Sequence, residues 1–248
     1  MRLKHKIILV AGASSGMGRQ AALRAGQEGA TVIAAARRLA DCEAVAEQIG
    51  GDSLALAIDG TDPASVAAGF AEIKSRFGKL DGVFNNLGST MGTGRVHEIP
   101  DEQWHASLAV NLTAPFLLMK AEIPLLIAAG GGAIVNNSST AGVRGTATMS
   151  DYSAAKWGLI GLGQSAAVEY GNEGIRVNTI APGIIRTEKM QDFEAAMPAI
   201  FEGLSAKIPG GRFGEMSDIA SLVTWLLSDE SRFINGATIR IDGGMSAA

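Results

Sequence analysis

Short apolar runs alternate with longer helical stretches along the whole chain, and this alternation predicts an α/β domain: a doubly wound parallel sheet with helices on both faces. Two further observations point the same way. The apolar runs are continuous, as strands covered on both faces are, and glycines cluster where the first run hands over to a helix. No repeat or linker divides the chain, so residues 1–248 read as one domain.

Composition narrows the class. A chain of 248 residues can bury a full core, and its 32 glycines, nearly double the usual ~7%, call for many tight turns or close backbone approaches. The net charge of −4, with no basic cluster longer than Arg37-Arg38, argues against nucleic acid as a partner. The one cysteine, Cys42, cannot form an internal disulfide and suits a reducing compartment. His5, His97 and His105 lack ligand spacing, so no metal is expected. The basic start Met1–Lys6 precedes an apolar run too short for a signal peptide. The longest apolar region, around Pro115 to Val135, is broken by Lys120, Glu122 and glycines, so no membrane span is expected. A soluble, cytoplasmic protein follows as the expectation.

In order, Ile7–Val10 reads as the first strand. It enters Gly12-Ala13-Ser14-Ser15-Gly16-Met17-Gly18 and then a helix to about Gly29, a unit whose bare backbone amides can approach a pyrophosphate. Thr31–Ala36 is the second strand, ending in Arg37-Arg38 where an acid would hold a ribose hydroxyl. Guanidinium there favours a 2′-phosphate, hence NADP(H) over NAD(H). Ser53–Ile58 is the third strand, ending at Asp59. The helix opened by Pro63 carries the apolar stripe Val66, Phe70, Ile73, Phe77. Leu80–Phe84 is the fourth strand and runs into Asn85-Asn86-Leu87-Gly88, amides that can bond backbone or ligand. A long helix from about Asp101 to Ala129 carries Asn111 in its middle, where a buried amide needs partners.

Ala133–Asn137 is the fifth strand and delivers Ser138-Ser139. A helix then runs to about Gly171; its Gly158, Gly161, Gly163, Ala166 and Ala167 allow close packing, against another subunit included. Arg176–Ile180 is the sixth strand, turning at Pro182-Gly183. Residues 184–213 show no convincing strand; Met190, Phe193, Met197 and Phe201 fall at helical spacing, and of the two readings, a surface helix pair or a mobile lid over a substrate, the lid is expected. Ser217–Leu227 is a helix, Ala237–Ile241 the last strand, and Asp242-Gly243-Gly244 a turn.

The chemistry is expected at Tyr152-Ser153-Ala154-Ala155-Lys156. Residues four apart share a helix face, so the phenol and the amine can point into one space. A tyrosine of pKa about 10 is ionised in roughly one molecule per thousand at pH 7, and a fixed cation in a dry site would lower that pKa toward neutrality. Tyr152 could then act as general acid and base.

These residues resemble the short-chain dehydrogenase/reductase family over essentially the whole chain. The resemblance rests on Gly12-x-x-x-Gly16-x-Gly18, Asn85-Asn86-x-Gly88, Asn111, Ser139 with Tyr152 and Lys156, and Pro182-Gly183 with Thr187. Arg212-x-Gly214-Glu215, Ile234-Asn235-Gly236 and Asp242-Gly243-Gly244 complete it. It implies a Rossmann-type, seven-stranded parallel sheet, usually in a homotetramer built through the long helices and last strand. It also implies an oxidoreductase moving hydride between NADP(H) and a carbonyl or secondary alcohol. By that resemblance Tyr152 protonates the alkoxide and Ser139 bonds the same oxygen. Lys156 binds the nicotinamide ribose and depresses the phenol pKa, and Asn111 holds a water linking Lys156 to solvent. Asp59 and Gly60 would meet the adenine, Asn85 the ribose side, and Ile185 and Thr187 the carboxamide and phosphate side. Thr90, Met91, Val143, Met149, Met190 and Phe193 are expected around a small, uncharged, partly apolar substrate.

Three residues depart from the family pattern: Ala11 for threonine, Leu87 for alanine, and Asn137 for an apolar residue. The expectation is that Leu87 refills volume lost at Ala11 and that Asn137 finds hydrogen-bond partners. Alternative readings are a catalytically silent NADP(H)-binding sensor or scaffold, an NAD(H)-preferring alcohol dehydrogenase, and the same fold used for epimerisation or dehydration.

Overall fold

Strands and helices alternate from the start of the chain. The computed structural model describes residues 1–247, without the side chains of residues 189, 193 and 198–200. Within it β1 (Ile7–Ala11) leads through the glycine turn into α1 (Gly16–Gln27), and β2 (Thr31–Ala36) into α2 (Leu39–Ile49). β3 (Leu54–Ala57) precedes α3 (Pro63–Phe77). Pro63 and the Asp62 carboxylate, which accepts from Ala64 N at 2.9 Å, set where α3 begins. β4 (Gly82–Asn85) is followed by α4 (Asp101–Leu108), a π turn over Ala109–Thr113 and α5 (Ala114–Ala128). Then come β5 (Gly132–Asn137), α6 (Ser150–Glu169), β6 (Ile175–Pro182), β7 (Ile185–Arg186), α7 (Glu188–Ala196), α8 (Pro198–Ser205), β8 (Gly214–Glu215), α9 (Met216–Leu227) and β9 (Thr238–Ile241).

Seven strands form one parallel sheet in the order β3-β2-β1-β4-β5-β6-β9. Its period-two alternation divides the core. Ile8, Val10, Val32, Phe84 and Ile180 face α1 and α9, while Leu9, Ile33, Val83, Ile134 and Val177 face α3, α5 and α6. The strand order reverses between β1 and β4, which opens a crevice at their carboxyl ends. Onto that edge the chain delivers Gly12, Arg37, Asp59, Asn86, Ser139 and Gly183, each just beyond a strand.

Two expectations change and one segment is resolved into its elements. The segment 184–213 does contain a strand: β7 pairs in parallel with β8 through Ile185↔Gly214 and Arg186↔Glu215, a ladder too short to show periodicity in sequence. The stripe Met190–Phe201 is carried by two helices, because the backbone leaves helical geometry at Met197 and restarts at Pro198. The long helix carrying Asn111 is continuous in direction but loosened there into a π turn. Asp101–Ala128 is long and apolar enough to cross a membrane by length and composition, yet α5 lies on the sheet beside α3, with Leu118, Met119 and Leu126 in the core.

Candidate active site

The glycine turn is a cradle whose glycine positions could not take a side chain without strain or a clash. Gly12 and Gly16 hold φ of 84° and 57°. A Cβ on Gly18 would lie 2.1 Å from Gly12 O, and one on Gly12 would lie 2.5 Å from Asn86 O. Ser15 caps α1 in extended geometry without a side-chain bond, so the first amides of the helix point outward. A groove of about 470 Å3 starts here, lined by Gly12, Ser14, Ser15, Arg37, Arg38, Asp59, Gly60, Thr61 and Met91. It passes over Asn86, Leu87, Gly88 and Ser89 into a second hollow of about 190 Å3, where Met17, Asn137, Ser138, Ser139, Tyr152, Lys156, Pro182 and Gly183 meet. A larger hollow of about 600 Å3 lies at the opposite edge of the sheet, but its Arg176 is spent on the carbonyls of Leu226 and Ser228 and none of the expected site residues reach it.

Tyr152 and Lys156 stand on the first turns of α6, with Ser139 at the end of β5. Lys156 is 2% exposed; Nζ donates to Asn137 O at 2.9 Å and Leu87 O at 3.3 Å, and lies 5.6 Å from the Tyr152 ring centroid. Burial lowers the amine to about 7. The phenol is not depressed as expected: burial pushes Tyr152 above its usual value, and a hydrogen bond with the Ser139 hydroxyl offsets only part of that. Burial sets both directions, raising the phenol and lowering the amine, whose Nζ is turned toward two carbonyls.

Asn111, fully buried in the π turn, acts as a clamp. Nδ2 donates to Ser89 O at 2.8 Å and Ser107 O at 3.0 Å, and Oδ1 accepts from Ser89 N at 3.1 Å. The wider turn frees Ser107 O for this side chain. A Cβ on Gly88 would come 2.8 Å from Lys156 Nζ and 2.9 Å from Asn111 Oδ1, so glycine keeps open the space between amine and amide. Asn137, which the sequence left without a role, donates from Nδ2 to Asn86 Oδ1 at 2.7 Å, and Asn86 Nδ2 reaches Gly12 O at 3.3 Å. This chain of amides ties the cradle to the reactive end. Its signal in sequence was only its departure from the family pattern.

Other expected residues fall elsewhere. Asn85 shares a strand face with Val83, so its side chain enters the core toward α5 and does not line the groove. Ile185 is core. Thr187 sits beside Gly16, where an added Cβ would meet its methyl at 3.7 Å, without lining either hollow. Met190 packs with Phe201, Ile208 and Phe213 in a separate cluster under α8. Thr90, Val143 and Met149 flank the site without lining the two hollows, Met149 by a bridge to Gly94, and the Phe193 side chain lies outside the described residues. Ala11 and Leu87 face one small hollow with Gly60 and Leu118.

The residues fit an elongated, anionic dinucleotide. The cradle leaves no room for a Cβ at Gly12 or Gly18, an arginine pair closes one end, and at the other the buried Asn137 Oδ1 has no partner among the described residues. Comparison with known proteins bears on the same point. A family model described as "Enoyl-(Acyl carrier protein) reductase" matches residues 12–246. The chain is 36% identical over 249 residues to the cyclohexanol dehydrogenase of Acinetobacter sp. (strain SE19), covering 99% of this chain and 97% of the relative. It is also 36% identical over 245 residues to the 3-oxoacyl-(acyl-carrier-protein) reductase FabG of Escherichia coli (strain K12), covering 99% of both. The crystal structure of a levodione reductase superposes with a TM-score of 0.93 at 33% identity over the full length of both chains. With a fold, a cleft and relatives that agree along its length, the chain belongs to the short-chain dehydrogenase/reductase family and is an oxidoreductase of alcohol and carbonyl groups that uses a nicotinamide cofactor.

Proposed function

We propose that this protein interconverts a carbonyl and a secondary alcohol with NADP(H), Tyr152 giving and taking the proton. The observation that carries the reading is the meeting of Tyr152, Ser139 and Lys156 in one hollow continuous with an arginine-ended groove. The nicotinamide would supply or accept hydride. Gly12, Ser14, Ser15, Gly16, Met17 and Gly18 would hold the pyrophosphate, Arg37 and Arg38 the 2′-phosphate, Asp59 and Gly60 the adenine, Asn86, Leu87 and Gly88 the ribose, and Pro182 and Gly183 the carboxamide end.

A phenol kept protonated by burial is suited to donate as an alkoxide develops, and the Ser139 hydroxyl would bond the same oxygen. Lys156, which titrates near neutrality, would return the proton to Tyr152 through the space that Gly88 leaves beside Asn111. The relatives' names give cyclohexanol, a 3-oxoacyl group and levodione as substrates, which agrees with an uncharged substrate under a lid formed by residues 184–213. The reading includes one domain, a cytoplasmic setting consistent with the single buried Cys42, and a homotetramer. One observation favours an NAD(H)-preferring variant of it: Arg38 is already engaged by Asp41 and by Ser14 Oγ at 3.2 Å, which leaves Arg37 alone to meet a phosphate.

NADPH and NADH consumption should be followed with a panel of cyclic and acyclic ketones. Tyr152→Phe is expected to lower kcat by about 10²–10⁴-fold while cofactor still binds. Unchanged turnover in that variant would refute the assignment.

A further inference from the structure

The most deeply buried carboxyl group among the described residues takes no part in the chemistry above. Glu122, on the inner side of α5, is 0% exposed, and so is Asn136; Asn85 is 1% exposed. Asn85 Nδ2 spends both hydrogens, on Glu122 Oε2 at 3.1 Å and on Asn136 Oδ1 at 3.1 Å, while Asn136 Nδ2 turns to Met119 Sδ at 3.5 Å. Two acceptors remain, Glu122 Oε1 and Asn85 Oδ1, both buried without a partner among the described residues. Turning the Asn85 amide over would set its oxygen against two further acceptors. The cluster lacks a donor, and one proton supplies it.

We propose that Glu122 is a neutral carboxylic acid whose Oε1 hydroxyl donates to Asn85 Oδ1, closing a two-bond acid–amide pair that pins the end of β4 to α5 and makes Glu122 a positioning residue for the site. Carboxyl and amide groups are planar forks of matched span, so forming one bond turns the other two atoms toward each other. The pair sits directly behind the cleft. Asn85 is followed by Asn86, which takes the Asn137 amide at 2.7 Å, and by Leu87, whose carbonyl takes Lys156 Nζ at 3.3 Å.

The surroundings favour the neutral form. Burial raises the carboxyl to about 8, opposed only by the Asn85 amide. Lys120 on α5 and Glu72, Lys74 and Arg76 on α3 are exposed. β4 and β5 present the two amides, and α6 meets Asn136 with Gly163, its Lys156 being bonded to carbonyls. Loss of the proton would leave a buried charge and two facing acceptors, and would loosen residues 86–88.

The positioning role rests on the reductase reading of the cleft; the state of the carboxyl does not. Carbon-13 NMR of labelled glutamate carboxyls in the intact chain reads the proton directly. One resonance, absent in Glu122→Gln, is expected to keep the protonated shift through neutral pH and to titrate near 8. In turnover, Glu122→Gln, whose amide can donate to Asn85 Oδ1, is expected to abolish the component of the alkaline fall in kcat that the wild type owes to this group. Glu122→Leu, which orphans Asn85, is expected to lower kcat at every pH. The proposal is overturned if every glutamate titrates in the ordinary carboxylate range, or if the Gln variant keeps the wild-type pH profile. Failure of the wild type to reduce or oxidise anything would overturn the reductase reading and the positioning role with it, while the NMR titration still decides the proton.

Discussion

Arg37 and Arg38 are neighbours with different commitments. Arg38 is held by Asp41 and Ser14, while Arg37 is exposed at the mouth of the groove, near the Asp59 carboxyl, which hydrogen bonds from the Thr61 hydroxyl and amide hold low, with a smaller contribution from Arg37. Arg37→Asp is therefore expected to move the kcat/KM ratio toward NADH by at least about tenfold, since on the NADP(H) reading it would set a like charge against the 2′-phosphate. Steady-state kinetics with both cofactors tests this. Two buried titrations set the pH response of stability. Glu122, raised from 4.5 to about 8, holds its proton more tightly in the folded state, so its contribution falls as pH climbs through that range. Lys156, lowered from 10.5 to about 7, holds its proton less tightly when folded, so its contribution rises from about pH 7 to 10.5. Urea denaturation across pH 5.5 to 10 is expected to show a trough between pH 7 and 8, with limbs of up to about 1.4 kcal/mol per pH unit. Glu122→Gln should erase the acid-side limb. Sequence alone brought Tyr152 and Lys156 together through their four-residue spacing, and the structure sets both in one hollow, but the direction of the phenol shift was not legible because it depends on how dry the site is.

The π turn at residues 109–113 is the element that brings Asn111 to Ser89. Asn111→Ala would orphan Ser89 N and the carbonyls of Ser89 and Ser107, costing about 1–3 kcal/mol of stability and lowering kcat as the loop beside Lys156 loosens. Thermal unfolding and turnover would both have to be unaffected for the clamp to be dismissed. Sequence located this helix and its asparagine, since a 3.6-residue apolar period is strong over long stretches, whereas one inserted residue barely disturbs that period. β7 and β8 were invisible because two residues have no period. Asn85 was misassigned because adjacent asparagines on a strand face opposite ways, and only the packing of α5 decides which one meets the groove.

At the scale of the whole molecule, α5 and α6 leave large apolar side chains in solvent: Phe116 at 46%, Ile127 at 44%, Trp157 at 52% and Val168 at 84% exposure. Gly161, with nothing within 4 Å of where a Cβ would stand, leaves α6 open to another backbone. A second copy of the chain is the expected cover, and Trp157→Glu should shift the molar mass in light scattering toward smaller species. The reversal of strand order carries a practical consequence. On the proposed reading, the residues that would grip the nucleotide's phosphates come from the segments around β1 to β3, and Ser139, Tyr152 and Lys156 come from β5 and α6. Chimaeras between relatives, joined at the Gly130-Gly131 turn, could therefore exchange coenzyme choice and proton chemistry as separate parts, provided both parents keep Asn85, Glu122 and Asn136 across the seam.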